Sequence, residues 1–322
     1  MKAILSAEQG AVIGELPQPQ VMQNHVVIKV KAAALNRADL QMLTGGSHGF
    51  AGGIGFPVGV EWAGEIIALG EGVYQWEVGD RVMGASPGAF AEYILGNAEW
   101  IYPIPDHMSF EQAATLPVGL QTTHDAIASQ GLLQEGQTVL VQGASSGIGL
   151  MAMQVAKFLG AKQVIGTSTS IDKLNRLSEF GADVVINTKD EDWAKQILKA
   201  TKRKGVDLVI DFLAGPLFEH TLSVTKIGGT IINVGRMAGE TGTIDFDQHS
   251  MRRITYKGVS FRTRSSDEIT DVIDKARKSL TQALDSHQIK IPVDATYPFE
   301  NFDEAFTKMK TNKHFGKIVL SF

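Results

Sequence analysis

The stretch Thr138-Val-Leu-Val-Gln-Gly-Ala-Ser-Ser-Gly-Ile-Gly149 decides the fold. Residues 139–141 are a short run of Val and Leu that reads as a buried strand. Gly143 then turns the chain into small residues, and the run reaches Gly147 and Gly149. From Leu150 the apolar positions recur with helical spacing at Met153, Val155, Ala156, Phe158 and Leu159. Strand, glycine turn and helix N-terminus together suit a phosphate. The first helical N–H groups are unpaired, the helix dipole is positive there, and glycine lets a ligand approach the backbone. The spacing departs from G-x-G-x-x-G, and an ordinary strand-to-helix turn fits the local stretch as well. The residues that follow separate the two readings.

Downstream, strand patterns at 163–167, 183–186, 206–211 and 230–234 alternate with helical patterns at 148–159, 171–180, 190–201 and 216–225. Such alternation predicts a doubly wound parallel sheet, and hence an α/β class. A further strand is expected at 259–262. Upstream, short strands at 2–5, 11–16, 26–30, 56–70, 81–83, 89–95 and 100–104 are separated by glycine corners. That pattern predicts a β-rich, barrel-like domain. The glycine-rich segment 45–55 reads as a lid over a site. Ser109, with Glu111 and Gln112 behind it, opens a helix in capping-box style. Residues 267–286 carry Ile269, Val272, Ile273, Ala276, Leu280 and Leu284 on one helical face. Strands at 291–297 and 317–320 flank a helix at 301–310. The α/β alternation ends near Arg262, so the last sixty residues are expected to rejoin the first domain.

The chain has 322 residues, enough for two hydrophobic cores. It is 43% hydrophobic and 20% charged, with a formal net charge of -5. Neither value favours nucleic acid or an anionic membrane as partner. There is no Cys, which excludes disulfides, thiolate nucleophiles and Cys-ligated zinc. The opening Met-Lys-Ala-Ile-Leu-Ser-Ala-Glu is too short in apolar residues for a signal peptide, and no run reaches a bilayer span. A cytoplasmic protein is the expectation.

After the second α/β strand, a chain that selects NAD often places an acid to hold the ribose 2′-hydroxyl. Here the positions are Thr167, Ser168, Thr169 and Ser170, with Asp172 and Lys173 beyond them. Hydroxyls with a cation suit a 2′-phosphate, so NADPH is favoured over NADH. Lys173 also reads as a solvated helix lysine, and Ser168 as a helix cap. Gly235 closes the strand at 230–234, beyond the carboxyl ends of the strands, where a nicotinamide would pass.

Seven stretches are read together along the chain: Ala34-Leu-Asn-Arg-Ala-Asp-Leu, Gly59-Val-Glu-Trp-Ala-Gly, Gly79-Asp-Arg-Val, Ala113-Ala-Thr-Leu-Pro, Gln142-Gly-Ala-Ser-Ser-Gly-Ile-Gly, Lys173-Leu with Gly181-Ala-Asp, and Phe315-Gly-Lys-Ile-Val-Leu. Together, and in this order, they resemble the zinc-independent quinone oxidoreductases of the medium-chain dehydrogenase/reductase superfamily. The resemblance implies a Rossmann dinucleotide-binding domain at 121–262 and a barrel-like (GroES-like) substrate domain from 1–120 and 263–322. Zinc members hold their metal with Cys, His and Cys. The matching positions here are Asn36, Val60 and Val118, and the eight His residues show no pair at ligand spacing on a helix face. No metal is therefore expected.

The resemblance further assigns Asn36 to orientation of the acceptor and contact with its developing oxyanion. Thr123 is placed near the nicotinamide ribose. Ser146, Gly147 and Ile148 form the pyrophosphate turn, Ser168 and Lys173 take the 2′-phosphate, and Phe261 and Arg262 reach the cofactor from a neighbouring segment. Two positions depart from the family habit of Tyr. Ser47 and His48 stand at the substrate mouth, and Thr188 stands near the adenosine. The expected protein is a homodimeric NADPH-dependent reductase, with a quinone as small-molecule substrate in the cleft between the domains. Two alternatives stay open: a reductase of α,β-unsaturated ketones or enoyl thioesters, and a catalytically silent NADPH-binding sensor or structural protein.

Overall fold

The computed structural model describes residues 1–49 and 51–322, with the side chains of His48 and Ala51 outside the described set. The chain divides into two compact units. One comprises Met1–Gln121, Phe261–Asp285 and Lys290–Phe322, and the other Thr122–Ser260 with Ser286–Ile289.

The second unit is built on six parallel strands. Their spatial order is Val184–Asn187, Gln163–Ser168, Thr138–Gln142, Val206–Asp211, Thr225–Asn233 and Thr255–Gly258. Numbered along the chain this is 3-2-1-4-5-6, the doubly wound dinucleotide-binding order, which puts the quoted strand at the centre. Val139, Leu140 and Val141 are fully buried there. Helix Gly147–Phe158 is apolar nearly all round, and its residues from Leu150 to Ala156 are buried, so it lies inside the unit. Trp193, Ile197, Phe218 and Leu222 pack against Leu140, Ile165, Val209 and Ile231 in one core.

Two expectations need correction. The sixth strand is Thr255–Gly258, not 259–262. It is an edge strand with all four residues exposed, so its residues carry no apolar pattern, whereas Val259 and Phe261 just beyond it do. The helix expected at 171–180 is two short pieces, α-helical Ile171–Leu174 and 3₁₀ Leu177–Phe180.

The first unit is organised by one ten-residue strand, His25–Ala34. On one side it pairs with Glu61–Leu69 along most of its length. On the other it pairs in sequence with Tyr93–Asn97 at its start and Lys317–Ser321 at its end. Breaks in register at Val27/Ile28 and Val30/Ala32 bend it. Sheet pairing continues through Arg81–Ala85 to Ile101–Pro103 at one end and Val293–Pro298 at the other. The core holds Trp62, Phe90, Ile28 and Ile66. The apolar face of helix Ser266–Asp285 is buried as the spacing predicts. It is tied to the sheet by Trp100 Nε1–H to Thr270 Oγ1 (2.8 Å) and by Arg277 to the Ile101 carbonyl (3.1 Å). The expected lid segment contains a two-stranded hairpin, Ser47–His48 against Ala51–Gly52. Among the described residues, no helix is long and apolar enough to cross a membrane.

Candidate active site

In the second unit the site is made chiefly of backbone. Ser146, extended at φ -79° and ψ 157°, caps helix Gly147–Phe158. Its Oγ accepts from the Gly149 N–H (3.1 Å) and donates to the Gly143 carbonyl (2.9 Å). The Leu150 N–H bonds to the Ser146 carbonyl. Among the described residues the Gly147 and Ile148 N–H groups make no hydrogen bond. Two donors at the positive end of the helix are thus left for an anion. The glycines are dictated by contact. Gly143 turns with φ +77°, and a Cβ on Gly149 would lie 2.5 Å from the Gly143 carbonyl oxygen and 2.7 Å from Ala144 Cα.

The turn is joined to the next strand. Ala144 N–H bonds to the Thr167 carbonyl, and Ser145 Oγ lies 2.9 Å from Ser168 Oγ. Ser168 Oγ also accepts from the Ser170 N–H (3.2 Å), and its carbonyl accepts from the Thr188 N–H. Thr188 Oγ1 is a buried oxygen with no partner among the described residues. Lys173 sits in the short helix that follows. The structure therefore brings Ser146, Gly147, Ile148, Ser168 and Thr188 into one connected region. Gly235 lies at the end of the fifth strand, where its N–H bonds to the Asp211 carbonyl (3.1 Å) and a Cβ would meet the Phe212 carbonyl oxygen at 2.6 Å. Thr123 is fully buried.

Asp211 was not singled out from sequence. Its Oδ1 accepts from the Leu213 and Ala214 N–H groups, while Oδ2 has no partner among the described residues. Burial pushes its carboxyl above the usual range, opposed by those two backbone donors.

In the first unit Asn36 follows strand His25–Ala34 and belongs to a buried polar cluster. Its Nδ2 donates to Glu61 Oε2 (3.0 Å) and to the Ala34 carbonyl (3.3 Å). Lys317 Nζ donates to Asn36 Oδ1 (2.6 Å), Glu61 Oε2 (2.6 Å) and the Leu35 carbonyl (3.4 Å). Glu61 Oε1 accepts from the Val118 N–H (2.8 Å), and Asp39 Oδ2 from the Asn36 N–H (2.7 Å). Glu61 and Asp39 are completely buried, and the Lys317 side chain is 11% exposed. Burial raises the Asp39 carboxyl to about 7; the Asn36 N–H and Lys317 oppose this and Glu61 adds to it. Both amide hydrogens of Asn36 thus have acceptors, and contact with a substrate oxyanion requires the longer bond, to Ala34, to be given up.

Phe261 and Arg262 lie in this same unit. The Arg264 guanidinium stacks over the Phe261 ring at 5.1 Å, and a Cβ on Gly49 would come within 3.2 Å of Arg262 Cα. Segment 261–264 therefore runs beside the Ser47 hairpin. Ser47 is exposed, and the side chain of His48 lies outside the described residues. Val60 and Val118 offer no donor side chain, and no grouping of three His, Cys, Asp or Glu suited to a metal occurs among the described residues. The paired free N–H groups, the hydroxyl-lined strand end and the unpartnered Thr188 Oγ1 fit a dinucleotide.

Two family models match the chain. Residues 22–106 match the alcohol dehydrogenase GroES-like domain, and residues 147–278 match the zinc-binding dehydrogenase family. The chain belongs to the medium-chain dehydrogenase/reductase superfamily. Among curated superfamily relatives, quinone oxidoreductase of Sus scrofa is 28% identical over 294 residues, covering 90% of this chain and 86% of that one. Low-reducing polyketide synthase drtA of Aspergillus calidoustus is 30% identical over 312 residues, 94% of this chain. The chain spans only 13% of that synthase's length. Among solved structures, mycobacterial Rv1454c complexed with NADPH superposes with a TM-score of 0.87 at 27% identity, over 100% of both chains. CurK enoyl reductase gives 0.86 at 27% identity, over 99% of this chain and 98% of that one.

Asp39, Glu61 and Lys317 stood inside stretches that carry the superfamily resemblance, yet sequence reasoning gave them no role. A signal was present. Glu61 and Lys317 each open a mostly apolar strand run, where a buried ionisable group is rare unless paired.

Proposed function

We propose that this chain is an NADPH-dependent, metal-free reductase that transfers hydride to a quinone. The observation that carries the reading is the capped turn whose Gly147 and Ile148 N–H groups remain as donors, connected through Ser145 to a strand end with hydroxyls and no acid. Gly147 and Ile148 bind the pyrophosphate, with Ser146 holding the turn. Ser168 and Lys173 take the 2′-phosphate, Thr188 lies toward the adenosine side, and Gly235 keeps the nicotinamide path open. Bound there, NADPH supplies a hydride at nicotinamide C4. Asn36 orients the acceptor and contacts the oxygen that gains charge. Ser47, His48, Phe261 and Arg262 border the acceptor and cofactor. One hydride and one proton, the latter from water, convert a quinone to a hydroquinone. A quinone is electrophilic enough to need no Lewis acid, in keeping with valines at 60 and 118. The likeness to pig quinone oxidoreductase over 86% of that chain supports the acceptor class. A homodimer is part of this reading, supported by the fully exposed edge strand Thr255–Gly258.

A second reading, reduction of an enone or enoyl thioester, is favoured by the likeness to CurK enoyl reductase. The test is NADPH oxidation at matched concentrations of small para-quinones, a linear enone and an enoyl thioester. The expected result is a kcat/KM at least tenfold higher for a quinone. A preference for the enone or thioester establishes the second reading instead. Tight NADPH binding with no turnover of any acceptor makes the chain a silent binder.

A further inference from the structure

We propose that Lys317 is a positioning residue, whose ammonium, anchored by Glu61, locks the Asn36 side-chain amide in one orientation. This rests on the reading of Asn36 as the residue that meets the acceptor. Three hydrogen bonds close a ring: Lys317 Nζ to Asn36 Oδ1, Asn36 Nδ2 to Glu61 Oε2, and Lys317 Nζ to the same Glu61 oxygen, at 2.6, 3.0 and 2.6 Å. The chemistry permits one amide orientation only. Turned over, the NH₂ would face the ammonium and the carbonyl would face the carboxylate, both repulsive. The third Lys317 hydrogen goes to the Leu35 carbonyl, so the ammonium is held from three sides and its position is fixed as well.

Depth and exposure divide the roles. Glu61 is completely buried and Lys317 nearly so, while Asn36 is half-buried and is the neutral member that reaches the surface of the unit. A purely structural ion pair in this place has no need of Asn36, because well-packed neutral residues generally serve stability as well as a buried pair does. The strands dictate the meeting. Val319 opposite Ala34 and Trp62 opposite Ala33 set positions 317 and 61 on the two sides of the strand that ends in front of Asn36.

The test uses the full chain and two readouts. Lys317→Met alone leaves Glu61 buried without its cation, so the main variant is the double Lys317→Met/Glu61→Gln. It removes both charges and keeps an acceptor for the Val118 N–H. The new amide at 61 then presents a donor to Asn36 and favours the turned-over orientation. In the double variant kcat is expected to fall at least tenfold, while the NADPH Kd stays within twofold of native. By nitrogen-15 NMR, the Asn36 side-chain amide hydrogens are expected to exchange with water at least tenfold faster than in the native protein. Asn36→Ala is the companion. If Asn36→Ala loses kcat and the double variant does not, the positioning role is overturned and the reading of Asn36 stands. If Asn36→Ala keeps native kcat, the reading of Asn36 falls and the positioning role falls with it. One measurement needs no variant: the native Asn36 amide is expected to exchange at least a hundredfold more slowly than that of exposed Asn24. Equal rates overturn the proposal even if the double variant does not fold.

Discussion

The phosphate turn and the Asn36 cluster are two polar sites built on opposite plans. The turn runs from Gly143 to Gly149, is contiguous in the chain, contains no ionisable side chain and works through backbone N–H groups and one serine hydroxyl. The cluster takes its members from positions 36, 39, 61 and 317, and three of the four are ionisable and buried. The difference teaches where rigidity comes from. The turn is rigid because close contacts leave no room for a Cβ. The cluster is rigid because buried charges must find one another.

The contrast can be broken at three points, taken from the largest expected effect to the smallest. The first is pH. Asp39 sits at about 7 against an ordinary value of 3.8, so the folded state keeps a proton that the unfolded chain releases. Stability from this group is therefore lost as pH rises from about 4 to about 7, on the order of 4 kcal/mol at most. Asp39→Asn removes the site. Its urea-unfolding free energy is expected to fall less between pH 5 and pH 8 than that of the native chain. Parallel pH slopes for the two proteins break the assignment.

The second point is steric and confined to the turn. Gly149→Ala places a methyl 2.5 Å from the Gly143 carbonyl oxygen. The expected cost is about 1–3 kcal/mol of stability, together with at least a tenfold rise in the NADPH Kd, read by denaturation and by fluorescence titration. Native values in both measurements would show that the turn yields easily and that its rigidity is overstated.

The third point sharpens the cofactor reading. Lys173→Glu is expected to raise the NADPH Kd about tenfold, equivalent to about 1.4 kcal/mol, with little change for NADH. Equal effects on both cofactors would remove Lys173 from the 2′-phosphate site.

The same contrast explains what could be read from the sequence. Five strands of the six-stranded sheet were legible because each announces itself locally, as the central strand Thr138–Gln142 does around residues 139–141. The capping box at Ser109 and Gln112 was legible for the same reason, and both its bonds are present. The edge strand Thr255–Gly258 was misplaced because a strand exposed on both faces leaves no apolar period to detect. The cluster around Asn36 was only half legible. Asn36 stood out, but its partners come together through strand register. Nothing within ten residues of Lys317 shows that it will meet residue 36 or 61.

Glu61 has a second effect, away from the amide it helps to hold. Helix Pro117–His124 begins with a proline, which has no N–H, and is preceded by Leu116, whose side chain has nothing to accept with. Its next N–H, on Val118, ends on Glu61 Oε1. The helix is thus capped by a residue 57 positions earlier in the chain, and a negative charge sits at the helix end that favours one. A single carboxylate therefore makes the start of a helix and the orientation of an amide depend on the same strand pairing. A shift of strand Glu61–Leu69 by one residue would undo both at once.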